Sequence, residues 1–309
     1  MLVRLATHAM GTRFELVLAG SDEVMLRAAG EEALAEIEAW DAALSLFRRD
    51  SRLSHINRHA AAAPVRVDPL TLNLIDAALE VARRSRGAFD PTVAPLMRQQ
   101  GFHQHGSGAG DPDSVGADGV EIDHEHATIR FRRAGMALDL GGIAKGHAID
   151  LAAEILRDAG VTTALIHGGT STIRALGTPP GARGWGIRLA HAPVDADVDL
   201  CDQAMSVSSP SGRTITAADG ERGHVLDPRT GRSAEAAVAV TIGPSARDAD
   251  AWSTALLVLE DVPASLPAEI TGYVDTPAGP RARGPLAHLF PKPQSRKSDQ
   301  CSTSTVVHS

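Results

Sequence analysis

Asp250 and Thr254 stand four residues apart in Asp250-Ala251-Trp252-Ser253-Thr254, a spacing that on a helix puts a carboxylate and a hydroxyl on one face, one turn apart. Both are hard oxygen donors. Mg²⁺ takes few protein oxygens and fills its octahedron with water and substrate phosphate, so one carboxylate, one hydroxyl and one backbone carbonyl make a workable half-site. The same pair also reads as a helix N-terminal charge and a hydroxyl bonded back to the main chain, and spacing leaves both readings open. The second group is Asp139-Leu140-Gly141-Gly142-Ile143-Ala144-Lys145-Gly146. An apolar strand, Met136 to Leu140, runs into paired glycines and then into a helix, Ile143, Ile149, Ala152, Ile155 and Leu156, closed by Gly160. Without a Cβ at Gly141 and Gly142 a ligand can reach the main chain, and a helix start offers N–H groups to an anion such as a nucleotide pyrophosphate. The run has neither P-loop nor Gly-x-Gly-x-x-Gly spacing, and a tight strand-to-helix turn would use the same glycines.

His224 precedes the turn Asp227-Pro228-Arg229-Thr230-Gly231. A neutral imidazole there could take the proton of an attacking hydroxyl, a charged one would stabilise phosphate, and a structural hydrogen bond is the third possibility. Asp227-Pro228 reads as loop-shaping. Ala88-Phe89-Asp90 follows the helix stop Gly87, which would leave Asp90 as a short acceptor facing a cleft while Pro91 fixes the chain. His103 and His105 fall in glycine-rich sequence and His124 and His126 in a hairpin turn, so they read as solvated loop histidines rather than a ligand set.

Taken in order, Met10-Gly11-Thr12, Gly87-Ala88-Phe89-Asp90-Pro91-Thr92, Asp139 to Gly146, His224 to Gly231 and Asp250 to Thr254 resemble the ApbE family of FAD:protein FMN transferases, from about Leu5 to about Phe290. The resemblance implies an ApbE-like fold. It also implies an enzyme that binds FAD and Mg²⁺ and moves FMN onto a Thr or Ser hydroxyl in a flexible segment of an acceptor protein, releasing AMP. It implies metal contacts from Ala144, Asp250 and Thr254, and catalytic roles for His224 and Asp250. Nucleotide contacts are implied for Met10, Phe47, Ala88, Phe89, Asp90, Gly141, Lys145, His147 and Val225; Phe47 reads equally as core. Two positions depart from the family pattern. Thr170 follows Gly168-Gly169 where relatives carry an acid, and Pro210 in Ser206 to Gly212 stands where glycine is usual. A flavin-binding module without transferase activity and an FAD pyrophosphatase giving FMN and AMP are the alternatives.

Lys and Arg number 30 against 38 Asp and Glu, a net charge of −8, and no basic cluster interleaves with aromatics, which argues against a nucleic-acid partner. Two cysteines, Cys201 and Cys301, make no disulfide framework. Met1 leads directly into an alternating strand, with neither signal peptide, lipoprotein cysteine nor membrane span, so the expected location is cytoplasmic. Aromatics are only 3% of the chain, so an exposed one is a candidate ligand contact.

These residues need elements to hold them. Leu2 to Leu5 and Phe14 to Leu18 alternate as strands, Asp22 to Phe47 is helical, and a second helix starts at the N-cap Asp68 with Pro69 and runs to Gly87. Gly101 to Gly119 reads as a surface loop. Val120 to Ile122, Thr128 to Phe131 and Met136 to Leu140 form a meander. Strands follow at Ala164 to His167, Thr172 to Leu176, Trp185 to Leu189, Met205 to Ser208 and Val238 to Ile242, then a helix at Asp248 to Leu259. Strands that mostly follow one another predict an α+β class with a largely antiparallel sheet and flanking helices. One domain over residues 1–290 and a disordered tail over 291–309 complete the expectation.

Overall fold

The computed structural model describes residues 1–102, 111–191, 194–210, 214–217 and 220–291. The chain opens with the hairpin β1 (Leu2–Ala9) and β2 (Thr12–Ala19). Its two-residue turn, Met10-Gly11, has positive φ at both positions, 50° and 73°, the combination whose twist matches paired strands. Asp22 caps α1 (Glu23–Leu44), Ser51 caps α2 (Arg52–His59), and β3 (Val65–Arg66) follows. Asp68 then caps α3 (Pro69–Arg84) as its Asp-Pro start predicts. Next come α4 (Ala94–Gln99), β4 (Val120–Asp123), β5 (Thr128–Phe131) and α5 (Ala144–Asp158). The second half runs through β6 (Thr163–Gly168), β7 (Thr172–Leu176), β8 (Trp185–His191), β9 (Val194–Leu200) and β10 (Ala204–Ser208). It ends with β11 (Thr214–Ala217), β12 (Gly220–Gly223), β13 (Val238–Gly243), α6 (Ala246–Leu259), β14 (Thr271–Thr276) and β15 (Gly279–Arg283).

Eight strands make one sheet in the order β1-β2-β6-β7-β10-β13-β14-β15, each neighbour antiparallel to the next. The α+β expectation is met. Strand alternation divides the core in two. Phe14, Leu16 and Leu18 of β2 and Ala239 of β13 face α1, α5 and α6. Val17, Val238, Val240 and Ile242 face the opposite way, against Trp185, Leu189 and Val198 of the β8–β9 hairpin. A small sheet, β3-β5-β4, stands apart.

Several expectations change. Met136 to Leu140 is not a strand. Its hydrogen bonds go to a side chain: Asn57 Nδ2 donates to Leu138 O at 2.9 Å and Leu138 N–H donates to Asn57 Oδ1 at 2.7 Å, while Asp139 N–H reaches Pro91 O. An amide side chain thus replaces a neighbouring strand. The helices α2 and α4 and the strands β3, β9, β11, β12, β14 and β15 were not expected from the sequence. The loop Gly101 to Gly119 is not wholly at the surface, since Ser114 and Gly119 are buried. His124 and His126 do lie in the β4–β5 turn, exposed. His103, His105, Ser211, Gly212 and the tail from residue 292 lie outside the described residues. No described helix is long and apolar enough to cross a membrane.

Candidate active site

A cleft of about 820 Å³ opens over the helix-covered end of the sheet, within the range of small-molecule sites. It is lined by the β1–β2 turn, the C-terminal end of α1, residues 88–102, residues 139–145, the β6–β7 turn, the end of β10, residues 224–228 and α6. Eight segments spread along the sequence therefore meet here. Met10 reaches the cleft because its left-handed turn directs it there, and the turn is closely packed, since a Cβ on Gly169 would lie 2.3 Å from Thr12 Oγ1.

Asp250 is the chemical centre. It is 3% exposed, in the second turn of α6. Lys145 Nζ lies 3.2 and 3.3 Å from its two oxygens, Gly146 N–H donates to Oδ2 at 3.1 Å, and the Thr172 and Ser206 hydroxyls donate to Oδ1 at 3.2 and 3.3 Å. Thr172, Ser206 and Thr241 are direct partners across β7, β10 and β13, so period-2 alternation puts all three hydroxyls under α6. Thr241 Oγ1 donates to Ala249 O at 2.6 Å. Thr254 faces the cleft one turn beyond Asp250, its hydroxyl 3.4 Å from both Asp250 O and Ser208 Oγ. Thr254 thus bonds back to its own helix and also lines the cleft.

The two helices carrying these groups are held in close register. Asp150 of α5 accepts from Ser245 Oγ and from the N–H groups of Ala246 and Arg247 at 2.9 to 3.0 Å, so it caps the start of α6. Arg174, 7% exposed, lies 3.5 Å from that carboxylate and donates to Pro244 O. At the other side Gly146 brings α5 against α6, where a Cβ would fall 2.1 Å from Ala246 O.

The sequence model of the ApbE family matches residues 10–268. The chain belongs to the ApbE family. The FAD:protein FMN transferase of Treponema pallidum (strain Nichols) is 32% identical over 266 residues, which cover 76% of this chain and 72% of that protein. The FAD:protein FMN transferase of Escherichia coli (strain K12) is 28% identical over 273 residues, covering 81% and 76%. In structure, the ApbE protein from Thermotoga maritima matches with a TM-score of 0.79 at 25% identity, over 94% of this chain and 99% of that one. The flavin transferase ApbE from Vibrio cholerae shares the fold, at a TM-score of 0.77 and 22% identity over 94% and 99%.

Of the residues the ApbE resemblance implicates, Met10, Phe47, Ala88, Phe89, Asp90, Gly141, Ala144, Lys145, His224, Val225, Asp250 and Thr254 all line the one cleft. Phe47 is 54% exposed, which removes its core reading and puts an aromatic side chain on the wall of the cleft. His147 does not line the cleft. It is packed edge-on against Trp40 of α1, ring centroids 4.5 Å apart, and burial brings its pKa down to about 4.

Two other expectations change in detail. Asp90 lines the cleft, but its carboxylate is turned to the protein: Oδ1 accepts from Thr92 N–H and Oγ1 at 2.8 and 2.6 Å, and Oδ2 from Ala117 N–H at 3.0 Å. Burial pushes its pKa up against these hydrogen bonds. The start of α5 also keeps most of its donors occupied. Gly141 N–H donates to Asp139 Oδ1, those of Ile143 and Ala144 to Leu140 O, and that of Gly146 to Asp250. The glycines serve close approach instead, as a Cβ on Gly142 would stand 3.0 Å from the Phe89 ring and 3.5 Å from Thr254 Oγ1. Cationic charge at this end of the cleft comes from Lys145.

Sequence reasoning missed Thr172, Ser206 and Asp150. Polar residues on the inward face of otherwise apolar strands were the available signal for the first two. Thr170 is exposed and lines the cleft, so the departure from the family pattern falls within the site.

Proposed function

We propose that this protein is an FAD:protein FMN transferase that uses Mg²⁺ and a Thr or Ser hydroxyl of an acceptor protein. The observation that carries the reading is the convergence of all five family segments on one cleft whose lining includes the Asp250 carboxylate, 3% exposed. The donor set fits a hard cation. Asp250, the Thr254 hydroxyl and the Ala144 carbonyl would hold Mg²⁺, all through oxygen, and the Gly142 approach leaves Thr254 accessible to a ligand. When bound, the ion supplies charge neutralisation at the pyrophosphate.

The chain's own residues do the rest. Phe47 and Met10 present an aromatic face and a thioether to a flat heterocycle. Lys145 supplies positive charge at the phosphates, and the apolar wall of Phe89 and Leu140 limits water. His224, directly after β12, takes the proton of the acceptor hydroxyl. The new bond joins that oxygen to the FMN-side phosphorus, the phosphorus–oxygen bond to AMP breaks, and AMP leaves with the bonding pair. Thr170 supports a second reading, a flavin-binding module, because a hydroxyl stands where the family pattern has an acid.

Incubation with FAD, Mg²⁺ and a panel of acceptor domains, read by in-gel flavin fluorescence and intact mass, tests the choice. Transfer is expected to add FMN to the acceptor, and Asp250→Asn to lower the rate by at least about a hundredfold while circular dichroism stays native. FAD consumed to FMN and AMP without labelled acceptor would replace the transferase with a pyrophosphatase. FAD bound but unchanged across the panel would leave the binding module.

A further inference from the structure

We propose that Lys145 is a movable counter-ion: it neutralises Asp250 in the metal-free protein and passes to the phosphates of the bound dinucleotide when a divalent cation takes the carboxylate. This rests on the Mg²⁺ and FAD reading above and deepens it, since it makes the two ligands depend on one another.

The Asp250 side chain is 4% exposed, and a carboxylate so far from water is costly unless it is paired. Among the described residues that touch it, Thr172, Ser206 and Gly146 N–H are neutral and only Lys145 carries charge. That pair is loose. Its two contacts of 3.2 and 3.3 Å are longer than the roughly 2.7 to 2.9 Å of a tight charge-assisted bond. The Lys145 side chain is 21% exposed, lines the cleft, and ends in a compact charge on a flexible stem. A dication and an ammonium on one buried carboxylate repel each other, so entry of the metal displaces the lysine. With the cleft holding only water, the ammonium loses its partner. With a pyrophosphate in the cleft it gains a new anion, and linkage requires each ligand to strengthen binding of the other.

The test uses binding, with Mn²⁺ as the metal probe and no acceptor protein present. Calorimetric titration of Mn²⁺ into nucleotide-free wild type and Lys145→Gln is expected to show the variant binding at least about tenfold tighter, because the competing charge is gone. FAD titrated by flavin fluorescence should bind wild type and variant equally in EDTA. At saturating Mn²⁺ it should bind the variant about tenfold more weakly, since only then does Lys145 reach the phosphates. Lys145→Met guards against a folding artefact, as a larger rise of Tm with Mn²⁺ than in wild type carries the same meaning. Unchanged Mn²⁺ affinity, or an equal loss of FAD affinity with and without metal, overturns the proposal in favour of a fixed lysine. Absence of Mn²⁺ binding to both proteins overturns it differently, by removing the metal assignment itself.

Discussion

Burial against Trp40 is the main reason that the His147 pKa falls from 6.5 to about 4, with Arg247 acting in the same direction and Asp68 against it. Its Nε2 finds no hydrogen-bond partner among the described residues. The unfolded chain binds this proton near 6.5 and the native one only near 4. The stability His147 contributes is therefore complete above the higher value and is lost as pH falls through that window, by up to about 3 kcal/mol. Thermal melts at about pH 7 and pH 4.5 should show a smaller acid loss in His147→Phe than in wild type. Parallel losses would place the acid sensitivity elsewhere. At this scale the sequence was legible where chemistry is local. Asp250 and Thr254 are one helical turn apart, so spacing alone puts them on one face. Thr172 and Ser206 reach Asp250 across 78 and 44 positions of chain, a relation carried by strand register rather than by any motif. Asp90 lines the cleft, but its Oδ2 is turned to Ala117, a partner 27 positions later that no local pattern reveals.

The elements that matter most are α5 and α6, which present Lys145 and Asp250 to one another. Their separation is set by Gly146 at one contact and by Asp150 at the other. Gly146→Ala places a methyl against backbone rather than a flexible side chain, so the helices must part. The expected cost is about 1 to 3 kcal/mol, seen as a lower denaturation midpoint, and the lengthened Gly146 N–H contact should weaken Mn²⁺ binding as well. Wild-type stability in this variant would mean that the helices pack further apart than described. Helix ends are readable, as the capped starts at Asp22 and Asp68-Pro69 and the stop at Gly160 show, because caps satisfy backbone groups within a few residues. Met136 to Leu140 reads as strand for the opposite reason: an apolar run does not reveal whether its partner is another strand or the amide of Asn57.

For the whole molecule, the antiparallel architecture followed from strands that succeed one another, whereas the division of the core between helices and the β8–β9 hairpin did not, since both faces of the central strands are apolar. Close to the end of the described residues, Phe290 is 4% exposed and stacked on Tyr273 at 4.8 Å. A chain ending at Arg283 should be less stable than one ending at Pro291 by about 3 to 5 kcal/mol, because it lacks the phenylalanine. Equal denaturation midpoints for the two chains would mean that this stacking does not hold the sheet. The first hairpin carries a different consequence. Its turn holds Met10 at φ 50°, where asparagine or glycine would sit more easily. A library of this chain selected only for heat resistance should thus drift away from methionine at that position, while one selected for flavin transfer should hold it. Divergence between the two populations at a single codon would measure how far stability and activity pull this sequence in opposite directions.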